Sequence, residues 1–242
     1  MRQRSGVLTV PVRQFGALRT RVTELLRADD FAAQLAEWTR FSPRQVISPL
    51  LSFLFNTDET VKWRTVTAVG IVVAEMADQE PETARTIMRR LMWSLNDESG
   101  GIGWGAPEAM GEIMARHQQL AEEYHLILLS YIRDDCNRLD HELLECGVLW
   151  GLGRLARERP RLLEGSISHL IPYLHSPNST QRGLAAWTLG FLDAVFPPEA
   201  LAHLLNDQQE TVIYEQGSHH RYHISELAAR LLQPSERDTG TE

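Results

Sequence analysis

Apolar residues recur along most of this chain at spacings of three and four, which is the period of one face of an α-helix. Short polar turns interrupt the pattern at nearly constant intervals. Proline often follows such a turn where a helix would begin, as at Ser42-Pro43 and at Pro81. The helix expected at 59–77 is apolar over a wide arc, which predicts burial between neighbouring helices. The pattern therefore predicts an all-α protein of about five antiparallel helix pairs.

The same pattern divides the chain into three parts. Two helices within 1–42 are expected to cap the N-terminal side, the helix pairs occupy 43–232, and the polar segment 233–242 is expected to be disordered. The predicted repeats cover 43–80, 81–118, 119–159, 160–196 and 197–232.

The last repeat departs from the helical pattern at 211–224, TVIYEQGSHHRYHI. An apolar run beginning at Val212 and a second run ending at Ile224 flank the turn residues Gln216 and Gly217. This pattern predicts a short β-hairpin inserted between the two helices of the repeat. Because the terminal repeat of a solenoid needs a cap, we expect the hairpin to cover its open end.

Four glycines mark matching points of successive second helices. Gly70, Gly111, Gly151 and Gly190 each follow an apolar residue, at intervals of 41, 40 and 39 residues. A glycine inside a helix costs about 1 kcal/mol relative to alanine, and the usual compensation is close approach of a neighbouring helix. We therefore interpret these glycines as structural, and their regular spacing predicts that the helix pairs stack into an α-solenoid.

A period of about 40 residues with two helices per unit is typical of HEAT repeats. The segment 170–190, LIPYLHSPNSTQRGLAAWTLG, combines a leucine-rich helix, a polar turn, an arginine and the pairs Ala-Ala and Leu-Gly. It resembles the short prokaryotic HEAT-like repeat, also called the PBS-lyase HEAT-like repeat, and the resemblance extends over about 43–232. The resemblance implies a scaffold with a concave binding surface on its second helices. The chain departs from the family pattern because the usual Val-Arg pair is absent after most turns, and Arg64 and Arg182 supply it only in part.

The charge balance limits the classes of partner. The chain has 24 basic and 32 acidic side chains, a net charge of −8 and a pI of about 5.6. An acidic protein repels phosphate backbones unless its basic groups are segregated on one face. We therefore expect a protein or peptide partner of basic or mixed charge, and we do not expect nucleic acid.

The cysteines and the apolar runs predict a cytoplasmic location. No apolar run is long enough to span a bilayer, and no secretory h-region is present near the N-terminus. Cys136 and Cys146 are ten residues apart, a poor spacing for a disulfide and not that of a CxxC metal site, which favours a reducing compartment. The arginine-rich segment 1–23 leaves an organelle transit peptide as the alternative.

The second repeat contains an unusual turn, GGIGWG at 100–105. It lacks the spacing of a dinucleotide-binding or phosphate-binding loop and does not follow a predicted strand. Asp97 and Glu98 nearby would oppose a phosphate. Two interpretations remain: the glycines lengthen a turn in which Trp104 packs, or Trp104 and Glu108 face the concave surface and contact a partner.

Trp63 and Trp104 each lie seven residues before a repeat glycine. They are expected at equivalent positions of neighbouring repeats. In that position they are either core residues or an aromatic surface that anchors a peptide or stacks bases. The predicted binding residues are Trp63, Arg64, Trp104, Glu108 and Trp187.

Two groups of potential metal ligands remain. His219, His220 and His223 lie on the predicted hairpin and are weak candidates for a transition-metal site, because adjacent strand residues point to opposite faces. The sequence HELLE at 141–145 lacks the second histidine of HExxH, so its two glutamates are interpreted as a solvated acidic face. We expect neither a metal nor a cofactor.

These observations favour a non-enzymatic scaffold that binds a protein or peptide on its concave surface. No serine, cysteine or lysine stands in a recognisable nucleophile motif. The alternative is an enzyme similar to two HEAT-like groups, the alkylpurine DNA glycosylases and the phycobilin lyases. A glycosylase would place Trp63, Trp104, Trp187 and Glu108 against DNA, which the net charge of −8 opposes. A third possibility is a metal- or ligand-sensing adaptor that uses the histidine hairpin.

Overall fold

The computed structural model describes residues 12–96 and 103–232 of the chain. It confirms the predicted α-solenoid of antiparallel helix pairs with a β-hairpin in the last repeat. Helix α1 (Val12–Arg27) and a 3₁₀ helix (Phe31–Arg40) precede the pairs and pack against the first of them. The described part of the chain contains no helix with the length and apolar content needed to cross a bilayer.

Each pair consists of a first helix and a longer or more deeply buried second helix. In the first three pairs the first helices are α2 (Pro43–Phe53), α4 (Pro81–Leu95) and α6 (Gln118–Ser130). In the fourth pair the first helix is a broken run that consists of a 3₁₀ helix (Pro160–Ser166), α8 (Ile167–Leu170) and a second 3₁₀ helix (Ile171–His175). In the fifth pair it is α10 (Pro198–Leu205). The second helices are α3 (Glu59–Gln79), α5 (Ala106–Arg116), α7 (Glu142–Glu158), α9 (Ser179–Leu189) and α11 (Ile224–Arg230).

Local start signals explain where most of these helices begin. The Asp58 carboxylate accepts hydrogen bonds from the first amides of α3, and the Asn178 side chain does the same for α9. Pro43 and Pro81 occupy the first turns of α2 and α4, where a missing N–H has no cost. Ser42 does not cap α2 with its side chain, so proline alone marks that start.

The first helix of the fourth pair is broken, whereas the sequence predicts one helix over 161–174. The run is 3₁₀ up to Ser166 and becomes 3₁₀ again after Leu170, where α8 ends. Ile171 keeps helical dihedral angles, with φ −53° and ψ −43°, but Pro172 has no amide hydrogen and cannot donate the α-helical hydrogen bond to the carbonyl four residues earlier. The chain therefore continues as a 3₁₀ turn.

The second helices form the central layer of the solenoid, in which α5 packs between α3 and α7, and α7 packs on α9. At Gly111 of α5, an added Cβ would lie only 2.3 Å from the Cα of Gly151 in α7. At Gly70 it would meet the Glu112 side chain at 2.4 Å. Gly190 shows no close approach of another helix. It follows the end of α9 at Leu189, and the atom nearest to an added Cβ belongs to the same turn of the chain, at 3.3 Å.

The hairpin consists of β1 (Glu210–Glu215) and β2 (Ser218–His223), paired antiparallel. Its two-residue turn places Gln216 at φ 51° and Gly217 at φ 87°. Positive φ at both central residues matches the twist of a tight antiparallel hairpin.

Candidate functional site

The hairpin crosses the inner face of the second helices, and its contacts reach beyond the last repeat to α9, α7 and α3. Trp150 of α7 donates its indole N–H to the main-chain oxygen of Tyr214 at 3.0 Å. The Tyr214 ring stacks on Trp63 of α3, with 5.2 Å between centroids. Thr211 fills the space beside Gly183 of α9, where a Cβ would lie 2.4 Å from its methyl group. The hairpin therefore links the last repeat to the first.

Two cavities lie beside the hairpin on this inner face. The larger has a volume of about 750 Å³, and we call it the aromatic groove. The smaller has a volume of about 390 Å³, and we call it the charged cavity. The aromatic groove is defined by Trp63, Trp104, Glu108, Leu143, Trp150 and His219. The charged cavity is defined by Glu112, Arg116, Arg154, Arg157, Trp187 and Glu215.

An aromatic cluster forms one wall of the groove. Trp63 contacts Trp150 at 4.7 Å and His219 at 6.3 Å, measured between ring centroids. Trp104 contacts His141 edge-to-face at 5.0 Å. Trp63 and Trp104 are both partly buried: each packs against the core and also lines the groove.

The rim of the groove carries exposed apolar side chains. The described residues contain eight large apolar side chains that are exposed, and three of them line this groove. They are Phe55, Leu143 and Val212, with 51%, 60% and 46% of their surface exposed. They come from three different repeats, and only the tertiary structure brings them together.

Glu108 lies at the base of the groove and is only 5% exposed. Burial raises the pKa of its carboxyl group, and the charge of Lys62 opposes that rise. The Lys62 ammonium is 3.5 Å from Oε1 of Glu108 and 3.8 Å from Oε2 of Glu59. The absence of a side chain at Gly147 leaves room for this carboxylate, since a Cβ there would lie 2.7 Å from its Oε2.

The structure separates the five predicted binding residues. Trp63, Trp104 and Glu108 line the aromatic groove. Trp187 lines the charged cavity instead and contacts Phe191 at 5.3 Å. Arg64 donates to the main-chain oxygens of Leu26 and Ala28 at 3.0 and 2.8 Å, which ties α1 to α3.

The charged cavity contains a buried ion-pair network. Glu112 is 3% exposed and accepts from Arg116 Nε at 2.6 Å and from Arg154 Nε at 2.7 Å. Arg157 pairs with Glu215 of the hairpin at 2.9 Å. These contacts connect α5, α7 and β1.

The interpretation of HELLE as a solvated acidic face is wrong for Glu145, which is 5% exposed. Its carboxylate accepts from Arg138 at 2.8 Å, from the Tyr173 hydroxyl at 3.0 Å and from Gln181 at 2.8 Å. Three donors from other parts of the chain offset the cost of burying this charge. Their approach depends on the tertiary fold, so spacing within HELLE did not reveal it.

The three histidines of the hairpin lie in different surroundings. His219 packs against Trp63, and burial lowers the pKa of its ring. His220 is 2.9 Å from the Ser218 hydroxyl, and His223 is 3.8 Å from a Glu210 carboxylate oxygen. Across 12–96 and 103–232, no group of three His, Cys, Asp or Glu side chains is arranged to hold a metal ion.

The thiol of Cys146 also lines the groove. Burial and the nearby charges of Glu145 and Glu108 raise its pKa to about 12. At pH 8 only about one thiol in 10⁴ would then be the reactive thiolate. We therefore expect iodoacetamide to alkylate the exposed Cys136 in the folded protein and to leave Cys146 unmodified, as measured by mass spectrometry of peptides.

Denaturation in urea supplies the control for this alkylation experiment. Both cysteines should be modified once the chain is unfolded, because burial no longer acts on either thiol. Equal modification of Cys136 and Cys146 in the folded protein would contradict the description of the groove.

The stacked helix pairs define the protein as an α-helical repeat solenoid. Residues 147–192 match the family model of the HEAT-like repeat. The match runs from within α7 to just after α9, and it supports the HEAT-like resemblance that the sequence pattern predicts.

One curated protein and several solved structures are also similar to this chain. An uncharacterized protein of Archaeoglobus fulgidus is 30% identical over 109 residues, which cover 45% of this chain and 53% of that protein. The match thus spans about half of that relative's length. A designed armadillo repeat protein superposes with a TM-score of 0.55 at 20% identity, covering 93% of this chain and 95% of its own. An engineered protein superposes with a TM-score of 0.50 at 15% identity, covering 89% and 95%. At these identities the structures show the fold alone.

Proposed function

We propose that this protein is a non-enzymatic HEAT-like scaffold that binds a peptide segment of a protein partner in the aromatic groove. The observation that carries the proposal is the clustering of Phe55, Leu143 and Val212 on the rim of one groove. Trp63, Trp104 and Glu108 are the residues proposed to contact the partner.

Exposed apolar surface costs free energy in water, and contiguous patches on soluble proteins commonly mark interaction sites. The groove volume of about 750 Å³ lies within the usual range for a bound ligand. Tryptophan is enriched among the residues that dominate interface energies. An apolar rim around an aromatic wall therefore suits the side chains of a peptide better than it suits a polar small molecule.

The charges of the groove support a peptide over a nucleic acid. The acidic and basic side chains that line it are Glu59, Lys62 and Glu108, which sum to −1 with His219 neutral. Duplex DNA binding needs several cationic contacts to phosphates. The lining charges thus argue against a glycosylase-type function, for which Trp187 also lies in the other cavity.

Site-specific photocrosslinking tests this proposal with a matched pair of positions. Leu143 on the groove rim and Leu126 on α6 are both leucines on helices, 60% and 62% exposed. With p-benzoylphenylalanine at each position in turn, we expect ultraviolet light in the native cell to crosslink one recurrent polypeptide from position 143. We expect no such product from position 126, as read by gel electrophoresis and mass spectrometry.

A second variant tests whether the crosslink depends on the groove. Phe55→Ser should reduce the yield from position 143, because it removes apolar surface from the rim of the same groove. Equal crosslinking from positions 143 and 126, or a nucleic acid as the main product, would reject peptide binding in the groove.

A further inference from the structure

A group of three charged side chains lies on one side of the aromatic groove. Glu59 and Glu108 are carboxylates and Lys62, which is the only lysine of the chain, lies between them. The formal charges of the group are therefore two negative and one positive. One negative charge remains without a counter-charge in the group.

Lys62 does not satisfy Glu108 fully. Its ammonium is 3.5 Å from Oε1, whereas charge-assisted N–H···O bonds are usually about 2.7–2.9 Å long. The other oxygen, Oε2, is buried and has no hydrogen-bond partner in the described part of the chain. A buried carboxylate normally has donors on both oxygens, so this one has unused capacity to accept.

The surroundings of Glu108 suit a flat cation. The Lys62 ammonium already lies 5.3 Å from the centroid of the Trp63 ring, which shows that a positive charge fits over this aromatic face. A Lys62 ammonium displaced from Glu108 would still have Glu59 as its partner, at the present 3.8 Å or less.

We propose that the peptide in the aromatic groove presents an arginine side chain whose guanidinium binds the Glu108 carboxylate beside Trp63. This inference rests on the proposed peptide-binding function and specifies its ligand. Arginine suits the site better than lysine, because its planar fork of donors reaches both oxygens of a carboxylate and stacks on an aromatic ring. Glu108 would then be the residue that selects the partner.

Selection from a phage-displayed library of random 12-residue peptides tests the inference on the full chain. We expect the peptides selected on the wild-type protein to share an arginine at one position. In a synthetic copy of a selected peptide, replacing that arginine with citrulline removes the charge and keeps the shape. We expect at least a 10-fold loss of affinity for the wild type, measured by fluorescence anisotropy.

The Glu108→Gln variant and a control variant locate the effect. Glu108→Gln keeps the shape of the side chain, so the same citrulline exchange should change its affinity less than 3-fold. Glu82→Gln makes the same change of charge on α4, where the side chain is 78% exposed and outside the groove, and it should retain the 10-fold difference. Thermal unfolding of each variant would verify that it is folded.

The possible outcomes separate this inference from the function on which it rests. Two outcomes would overturn the role of Glu108 and leave peptide binding intact. In the first, the selected peptides require Phe55 and Leu143 but share no arginine. In the second, the citrulline exchange lowers the affinity for Glu108→Gln as much as it lowers the affinity for the wild type. If no peptide is enriched on the wild-type protein, both proposals are wrong.

Discussion

Replacing Gly111 with alanine is expected to lower the free energy of unfolding by about 3 kcal/mol. The added Cβ would lie 2.3 Å from the Cα of Gly151 and 2.6 Å from its carbonyl oxygen. Both atoms belong to the main chain of α7, so they cannot rotate away as a side chain would. The helices α5 and α7 must separate, and the core between them loses contacts. Urea denaturation followed by circular dichroism would measure the loss.

Gly16→Ala is the matched control for this substitution. Gly16 lies in α1, and within 12–96 and 103–232 no described atom outside its own helix is within 4 Å of the position of an added Cβ. Alanine there should raise stability by up to about 1 kcal/mol, because it favours the helix. If Gly111→Ala were as stable as Gly16→Ala, the close packing of α5 on α7 would be refuted.

Replacing Glu112 with glutamine is expected to cost about 3–4 kcal/mol, because it removes one partner from a buried ion-pair network. The amide keeps the shape of the side chain, yet its NH₂ group would face one of two guanidinium groups, those of Arg116 and Arg154. Both arginines now pair with a carboxylate that is 3% exposed. The same urea denaturation measures the change.

The conservative counterpart is Glu82→Gln, which removes a carboxylate that is 78% exposed and pairs with Arg85 at 2.6 Å. An exposed pair contributes no more than about 1 kcal/mol, since water and salt screen it. If Glu112→Gln and Glu82→Gln lowered the free energy of unfolding by similar amounts, the buried network in the charged cavity would contribute no more to stability than an exposed ion pair.

Gly111 and Glu112 are neighbours in the chain, and they show how far sequence reasoning reaches. The spacing of the repeat glycines indicated close packing at Gly111, because the period of the repeats is visible in the sequence. Nothing in the spacing of Glu112 indicated that two arginines enclose it. One of them, Arg154, is 42 positions away in the next repeat.

The candidate site shows the same division. The tryptophan register and the position of Glu108 placed three residues on a common surface, and Trp63, Trp104 and Glu108 do line one groove. Trp187 was assigned to that surface as well, although it lines the charged cavity instead. The sequence pattern did not predict the rim residues Phe55, Leu143 and Val212, because an isolated apolar residue near a turn does not indicate which distant residues it will lie beside.

By itself, the sequence determined the helix pairs, their period and the presence of the hairpin. Those features depend on helical periodicity, on proline and capping residues and on turn chemistry, all of which act between residues close together in the chain. The tertiary structure alone decided that the hairpin lies across the inner face, that Glu108, Glu112 and Glu145 are buried, and which aromatic residues share a groove. Those features depend on packing and desolvation between residues from different repeats, and no local pattern records such contacts.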